Sequence, residues 1–171
     1  MTSPTLQPRS AIISVLVENE AGILARVIGL FTGRGYNIDS LTVAPVDPAR
    51  NHSRINIVTS GTDMVIEQIK AQLDRLVQVY RIADLSTQGP HVTRELALIK
   101  MVSTGADRVE ALRLAEAFRA RVIDATLESL VFEMTGNTEK LDAFIELMRG
   151  LGLAEVSRTG VAAIARGTTT I

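Results

Sequence analysis

Two short polar segments carry the residue types that recognition chemistry would need. The first, Asn19-Glu20-Ala21-Gly22, stands between an apolar run and a helical pattern over residues 20–34. Asn19 has the side chain of an N-cap, and Glu20 then falls in a first helical turn, where the helix dipole favours an acid. Gly22 leaves the neighbouring backbone amides uncovered. Such a helix end can hold the carboxylate of a small ligand, with amides near Gly22 and Ile23 donating and Asn19 adding a hydrogen-bonding group. The plainer alternative is a capped helix whose glycine serves close packing. The second segment, Gly35-Tyr36-Asn37-Ile38, starts the next strand with a polar residue beside an apolar one. Neither segment brings a nucleophile and a base together, so the pattern describes a binding end rather than an active site.

Other candidates are weaker. The chain has no cysteine, hence no disulfide, thiol nucleophile or thiolate metal site. His52 and His91 both fall in expected loops, and His52 is too isolated for a metal site or a triad. Asp124, Glu128 and Glu133 resemble an acid cluster, but their alternation on short strands suits a solvated face. Arg119 and Arg121 end a helix, where cations complement the dipole.

The elements that must position these residues follow from apolar spacing. Residues 11–17 read as a continuous apolar strand in the middle of a sheet. A helix over 20–34 places Ile23, Val27, Leu30 and Phe31 on one stripe, with Gly35 as its left-handed stop. Strands are expected at 36–44, 54–59 and 77–84. An exposed connection over 45–53 separates the first two, and a helix begins at Gly61, Thr62 and Asp63. The order is βαββαβ, the split-βαβ or ferredoxin-like unit. Residues 86–92, with Gly89-Pro90, read as a linker. The second half repeats the order: a strand at 96–102, a helix at 107–121 carrying Leu112, Ala115 and Phe118, and strands at 122–126 and 130–135. A helix at 140–149 with Leu141, Phe144, Ile145 and Met148 and a strand at 153–158 complete it. Residues 159–171 have no strong pattern. The expected fold is α+β, two tandem βαββαβ domains over 1–88 and 92–171.

Composition narrows the function classes. Of 171 residues, 46% are hydrophobic, enough for real cores. Aromatics are only 4%, and the strand at 54–59 has none, which argues against an RNA-recognition module of the same element order. With 18 basic and 19 acidic residues the net charge is −1, so nothing favours a polyanion or an anionic membrane. No apolar run approaches the ~20 residues of a membrane span, and the first ten residues lack a secretory hydrophobic region. A cytoplasmic location is expected.

The blocks Asn-Glu-Ala-Gly-Ile-Leu-Ala-Arg-Val (19–27) and Arg-Gly-Tyr-Asn-Ile-Asp-Ser-Leu-Thr-Val-Ala-Pro (34–45) resemble an ACT domain, a βαββαβ module that senses amino acids. With Glu-Leu-Ala-Leu-Ile-Lys (95–100) and Val-Ile-Asp (122–124), the chain is similar to the small regulatory subunits of acetohydroxyacid (acetolactate) synthase, from about residue 10 to 167. That resemblance implies a homodimer through N-terminal ACT domains, with a C-terminal ACT-like domain. It implies an amino-acid site of Asn19, Glu20, Ala21, Gly22, Ile23 and Leu24 from one chain and Asn37 and Ile38 from the other. The implied ligand is a branched-chain amino acid: valine, or its relatives leucine and isoleucine. The implied partner is a large catalytic subunit, which holds the thiamine diphosphate, magnesium and flavin; no cofactor and no catalytic residue is expected in this chain. A tandem ACT-type regulator of another enzyme or pathway is the competing reading.

Overall fold

The computed structural model describes residues 7–171, which divide into two compact units: residues through Val92 together with Val161–Ile171, and Thr93–Gly160.

The first unit runs β1 (Arg9–Glu18), α1 (Ile23–Arg34), β2 (Ser40–Asp47), β3 (His52–Gly61), α2 (Asp63–Asp74) and β4 (Val79–Asp84). Its antiparallel sheet has the order β2-β3-β1-β4, so the most apolar strand, β1, is central as its composition demands. One face of β1 (Ala11, Ile13, Val15, Val17) and Ile55 and Ile57 of β3 meet Val27 and Phe31 of α1 and Ile66, Ile69 and Leu73 of α2, all buried. Thr62 caps α2, its hydroxyl accepting from the Val65 amide. The connection expected over 45–53 is shorter than its turn-rich composition suggests. β2 continues through Asp47, and a 3-10 turn, Pro48–Arg50, leads to His52, which opens β3 rather than lying in a loop. Pro45 is tolerated because β2 is an edge strand whose register with β3 shifts between Pro45 and Asp47.

The second unit follows β5 (His91–Val102) with α3 (Gly105–Phe118), β6 (Arg121–Ala125), β7 (Ser129–Gly136), α4 (Thr138–Arg149) and β8 (Leu153–Arg158). The strand order β6-β7-β5-β8 matches that of the first sheet. The stripe on α4 is as spaced in the sequence: Leu141, Phe144, Ile145 and Met148 are all buried. α3 differs. Its buried positions are Ala111 and Ala115, while Leu112 is exposed. Ala115 and Phe118 face the core as their spacing predicts, and Ala111 takes the place expected of Leu112. The helix stops at Phe118 because Arg119 turns left-handed, φ 60°. His91, expected in the linker, opens β5.

The tail packs with residues of the first unit, and its one strand also pairs with β5. The Val161 amide donates to Ser40 Oγ at 2.8 Å, and β9 (Ala162–Ala165) buries Ala163 against Ala83 and Leu85. Residues 161–171 therefore group with the first half by their contacts. Among the described residues no helix is long and apolar enough to cross a membrane.

Candidate ligand site at the start of the first helix

The turn into α1 is built around Gly22, which adopts φ 91°, ψ −8° and caps the helix without a side-chain hydrogen bond. Only glycine takes that left-handed conformation without strain. This corrects two expectations. Asn19 is not the N-cap, and Glu20 does not sit in the first turn, which is Ile23-Leu24-Ala25 and has no acid. The helix starts three residues later than the pattern suggests, because a glycine cap takes precedence over an upstream asparagine.

Asn19 is fixed by backbone contacts instead. Its amide donates to the Asn51 carbonyl at 2.7 Å, and Asn51 Nδ2 donates to its carbonyl at 3.3 Å. Sequence reading passed over Asn51. Its signal is an asparagine inside a turn, and the structure gives it φ 55°, where asparagine is enriched. The Glu20 amide donates to the Glu18 carbonyl at 2.9 Å and the Ile23 amide to the Glu20 carbonyl at 3.3 Å. Among the described residues the amides of Ala21, Gly22, Leu24 and Ala25 have no backbone acceptor. Asn19, Glu20, Ala21 and Gly22 are exposed, Leu24 is half-buried and Ile23 is buried. A Cβ built on Gly22 meets no atom within 4 Å. The turn is thus an open cluster of N–H donors at the positive end of a 12-residue helix, with an apolar floor and one exposed carboxylate beside it. Those are the groups a zwitterion requires: donors for its carboxylate, an acceptor for its ammonium and apolar surface for its side chain.

The second segment lies at the opposite end of the same helix. Asn37 and Ile38 precede β2, which begins at Ser40, so they form a connection rather than a strand start. Thr59 Oγ1 donates to the Asn37 carbonyl at 2.6 Å, and Asn37 Nδ2 donates to Asp39, whose other oxygen accepts from Ser60 Oγ at 2.7 Å. Ile38 is half-buried against the first core. Twelve residues of helix put about 18 Å between the two segments. One small molecule touching both must meet them on two different chains.

The remaining candidates resolve as structural. Asp124 and Glu128 are exposed, Glu133 pairs with Arg121, and no group of acids, histidines or cysteines with metal-site geometry occurs among the described residues. The His52 ring packs on Tyr80 with centroids 4.4 Å apart.

Residues 13–81 match the family model described as the AHAS small subunit-like ACT domain, and residues 94–167 match the one for the small subunit of acetolactate synthase. The isozyme 3 small subunit of acetolactate synthase from Salmonella typhimurium is 48% identical over 157 residues, covering 91% of this chain and 95% of that protein. The small subunit from Aquifex aeolicus is 44% identical, covering 94% and 83%. The crystal structure of the Thermotoga maritima small subunit superposes with a TM-score of 0.85 at 37% identity, covering 94% of this chain and 99% of that one. With the matched models together spanning both halves, the chain belongs to the acetolactate synthase small-subunit family.

Proposed function

We propose that this chain is the non-catalytic regulatory subunit of a cytoplasmic acetolactate synthase. It binds and activates a separate catalytic subunit, and it makes that subunit sensitive to feedback inhibition by a branched-chain amino acid, valine or its relatives leucine and isoleucine. Thiamine diphosphate, magnesium and flavin belong to the catalytic partner; the part of this chain is to sense and transmit. The observation that carries the reading is the start of α1, where a left-handed Gly22 and an acid-free first turn leave four amides open to a carboxylate.

The separation of the two segments supports a homodimeric site. Residues 19–24 of one chain would receive the ligand's carboxylate, and Asn37 and Ile38 of the other would close over it. Binding then depends on dimer geometry, and by reciprocity the dimer responds to binding. Sedimentation should give at least a dimer at micromolar concentration; a monomer with and without ligand counts against the split site.

Calorimetry with valine, leucine and isoleucine, followed by activity of the reconstituted enzyme, tests the proposal. Saturable heat with one of the three, together with stimulation and inhibition, is the expected result. Stimulation without any amino-acid response would remove the sensing role. Binding without a thiamine-dependent partner in a pull-down would favour a regulator of another enzyme.

A further inference from the structure

Both units hold the approach to their first helix with the same pair of main-chain bonds. In the first, the Glu18 amide donates to the Gln78 carbonyl at 2.9 Å and the Asn19 amide to the Asn51 carbonyl at 2.7 Å. In the second, the Val102 amide donates to the Gly152 carbonyl at 2.9 Å and the Ser103 amide to the Glu128 carbonyl at 3.0 Å. Strand register makes these positions equivalent, since Glu18 pairs with His52 as Val102 pairs with Ser129. Bonds that recur in both units belong to the scaffold.

The first unit adds a side-chain bond that the second lacks. Asn51 Nδ2 donates to the Asn19 carbonyl at 3.3 Å, whereas among the described residues the Glu128 side chain gives Ser103 no bond. Asn51 is held for this contact by its own turn. Its amide donates to the Pro48 carbonyl at 3.3 Å, the Arg50 amide donates to the Asp47 carboxylate at 3.2 Å, and φ at Asn51 is 55°. Asparagine is among the few side chains that take this left-handed backbone readily. The carbonyl so fixed belongs to the peptide joining Asn19 to Glu20. The amide of that peptide donates to the Glu18 carbonyl at 2.9 Å, so the plane is bonded at both edges. Next along the chain come the open amides of Ala21 and Gly22, whose directions follow from that plane. A turn ordered before binding spares the ligand the entropy of ordering it.

We propose that Asn51 is a positioning residue for the amino-acid site. Its carboxamide holds the peptide between Asn19 and Glu20 so that the Ala21 and Gly22 amides are presented together, and it sets affinity without touching the ligand. This role rests on the amino-acid site proposed at α1.

The test titrates the intact protein, its Asn51→Gly and Asn51→Asp variants and a Glu128→Gly control with valine, leucine and isoleucine by calorimetry. Glycine keeps the left-handed turn and the carbonyl but removes the donor; aspartate keeps the shape and turns an acceptor toward an acceptor. Each Asn51 variant should bind about tenfold more weakly, the effect of having to order one backbone residue on binding. Glu128→Gly should bind as the unaltered protein does. Without ligand, Asn51→Gly should quicken exchange of the Glu20 amide and leave the Ile13 and Ile57 amides unchanged, and saturating ligand should restore the Glu20 amide. A merely structural role would quicken all three together. The proposal is overturned by unaltered affinity in both Asn51 variants, by an equal loss in Glu128→Gly, or by Ile13 and Ile57 quickening in step with Glu20. An unaltered protein that binds none of the three amino acids removes the sensing role itself, and this one with it.

Discussion

The two units repeat one strand order and then differ at the start of their first helices. α1 enters through Gly22 with no acid in its first turn, and its leading amides are open. α3 enters through Thr104 and Gly105 and carries Asp107 in its first turn; its Arg108 amide bonds the Thr104 carbonyl at 3.5 Å, as the Arg26 amide bonds the Gly22 carbonyl at 3.1 Å in α1. An acid in the first turn already neutralises the helix dipole and would repel an incoming carboxylate. The same scaffold thus has one acid-free first turn and one that carries an acid. The proposed placing of the ligand in the first unit therefore rests on electrostatics, not on a difference in fold.

A second contrast lies in the ion pairs that tie each sheet to its second helix. In the first unit Arg9 of β1 reaches Asp84 of β4 at 2.8 Å and Asp63 of α2 at 2.7 Å. In the second, Arg158 of β8 reaches Glu95 of β5 at 2.7 Å and Asp142 of α4 at 2.6 Å. The two triads occupy equivalent strands with cation and buried acid exchanged. Both guanidinium pKa values are raised, Arg9 first through Asp63 and then Asp84, Arg158 chiefly through Glu95, so both cations stay charged. Arg158→Ala should have the largest effect on stability, about 3 kcal/mol in the second unit, because it strands Glu95, whose side chain is only 5% exposed. Denaturant unfolding read at Phe132 and Phe144 measures it. The double exchange Glu95→Arg with Arg158→Glu should recover part of the loss, since the first unit uses that polarity. No recovery would mean that the two triads are not equivalent.

Gly22→Asp probes the receptive helix end directly. The new side chain enters open space, and aspartate tolerates a left-handed backbone at a cost of about 1 kcal/mol. The protein should fold and still activate its catalytic partner, while a carboxylate placed at the amide cluster weakens valine binding by about 2 kcal/mol, or thirtyfold. Inhibition curves on the reconstituted enzyme decide. An unchanged response would remove the ligand from α1. Next in size is truncation after Gly160, which uncovers Ala83 and Leu85 and should cost the first unit about 1.5 kcal/mol. Hydrogen exchange should quicken at Ile13 and Ile57 and stay constant at Ile99 and Phe132. Equal acceleration in both units would break the assignment of the tail to the first.

Much of this architecture was legible because large apolar residues recur with clear periods. β1, α2 and α4 show their buried faces in the sequence, and β8 begins and ends where its pattern does. The tail was not legible: Ala162, Ala163, Ile164 and Ala165 are too small and too few for a period to emerge, and their partner surface is distant in sequence. At the candidate site the residues were legible but not their roles. Asn19 and Gly22 are both cap-forming types three positions apart, and only backbone geometry distinguishes them.

That distinction makes Asn19→Ala the smallest and most discriminating test. Were Asn19 the N-cap, losing its side chain would cost about 0.5–2 kcal/mol. The structure instead holds Asn19 by its own amide and carbonyl, both bonded to Asn51, and alanine keeps both groups. Stability should therefore change by less than about 0.5 kcal/mol, within the range of surface substitutions. The valine response should still weaken if the Asn19 side chain contacts the ligand, but by less than in Gly22→Asp, since a neutral hydrogen bond contributes about 1 kcal/mol and no charge is introduced. A stability loss near 2 kcal/mol would restore the capping role and move the start of α1 toward Glu20. A stable variant with an undiminished valine response would leave the amides around Gly22 to hold the carboxylate without Asn19.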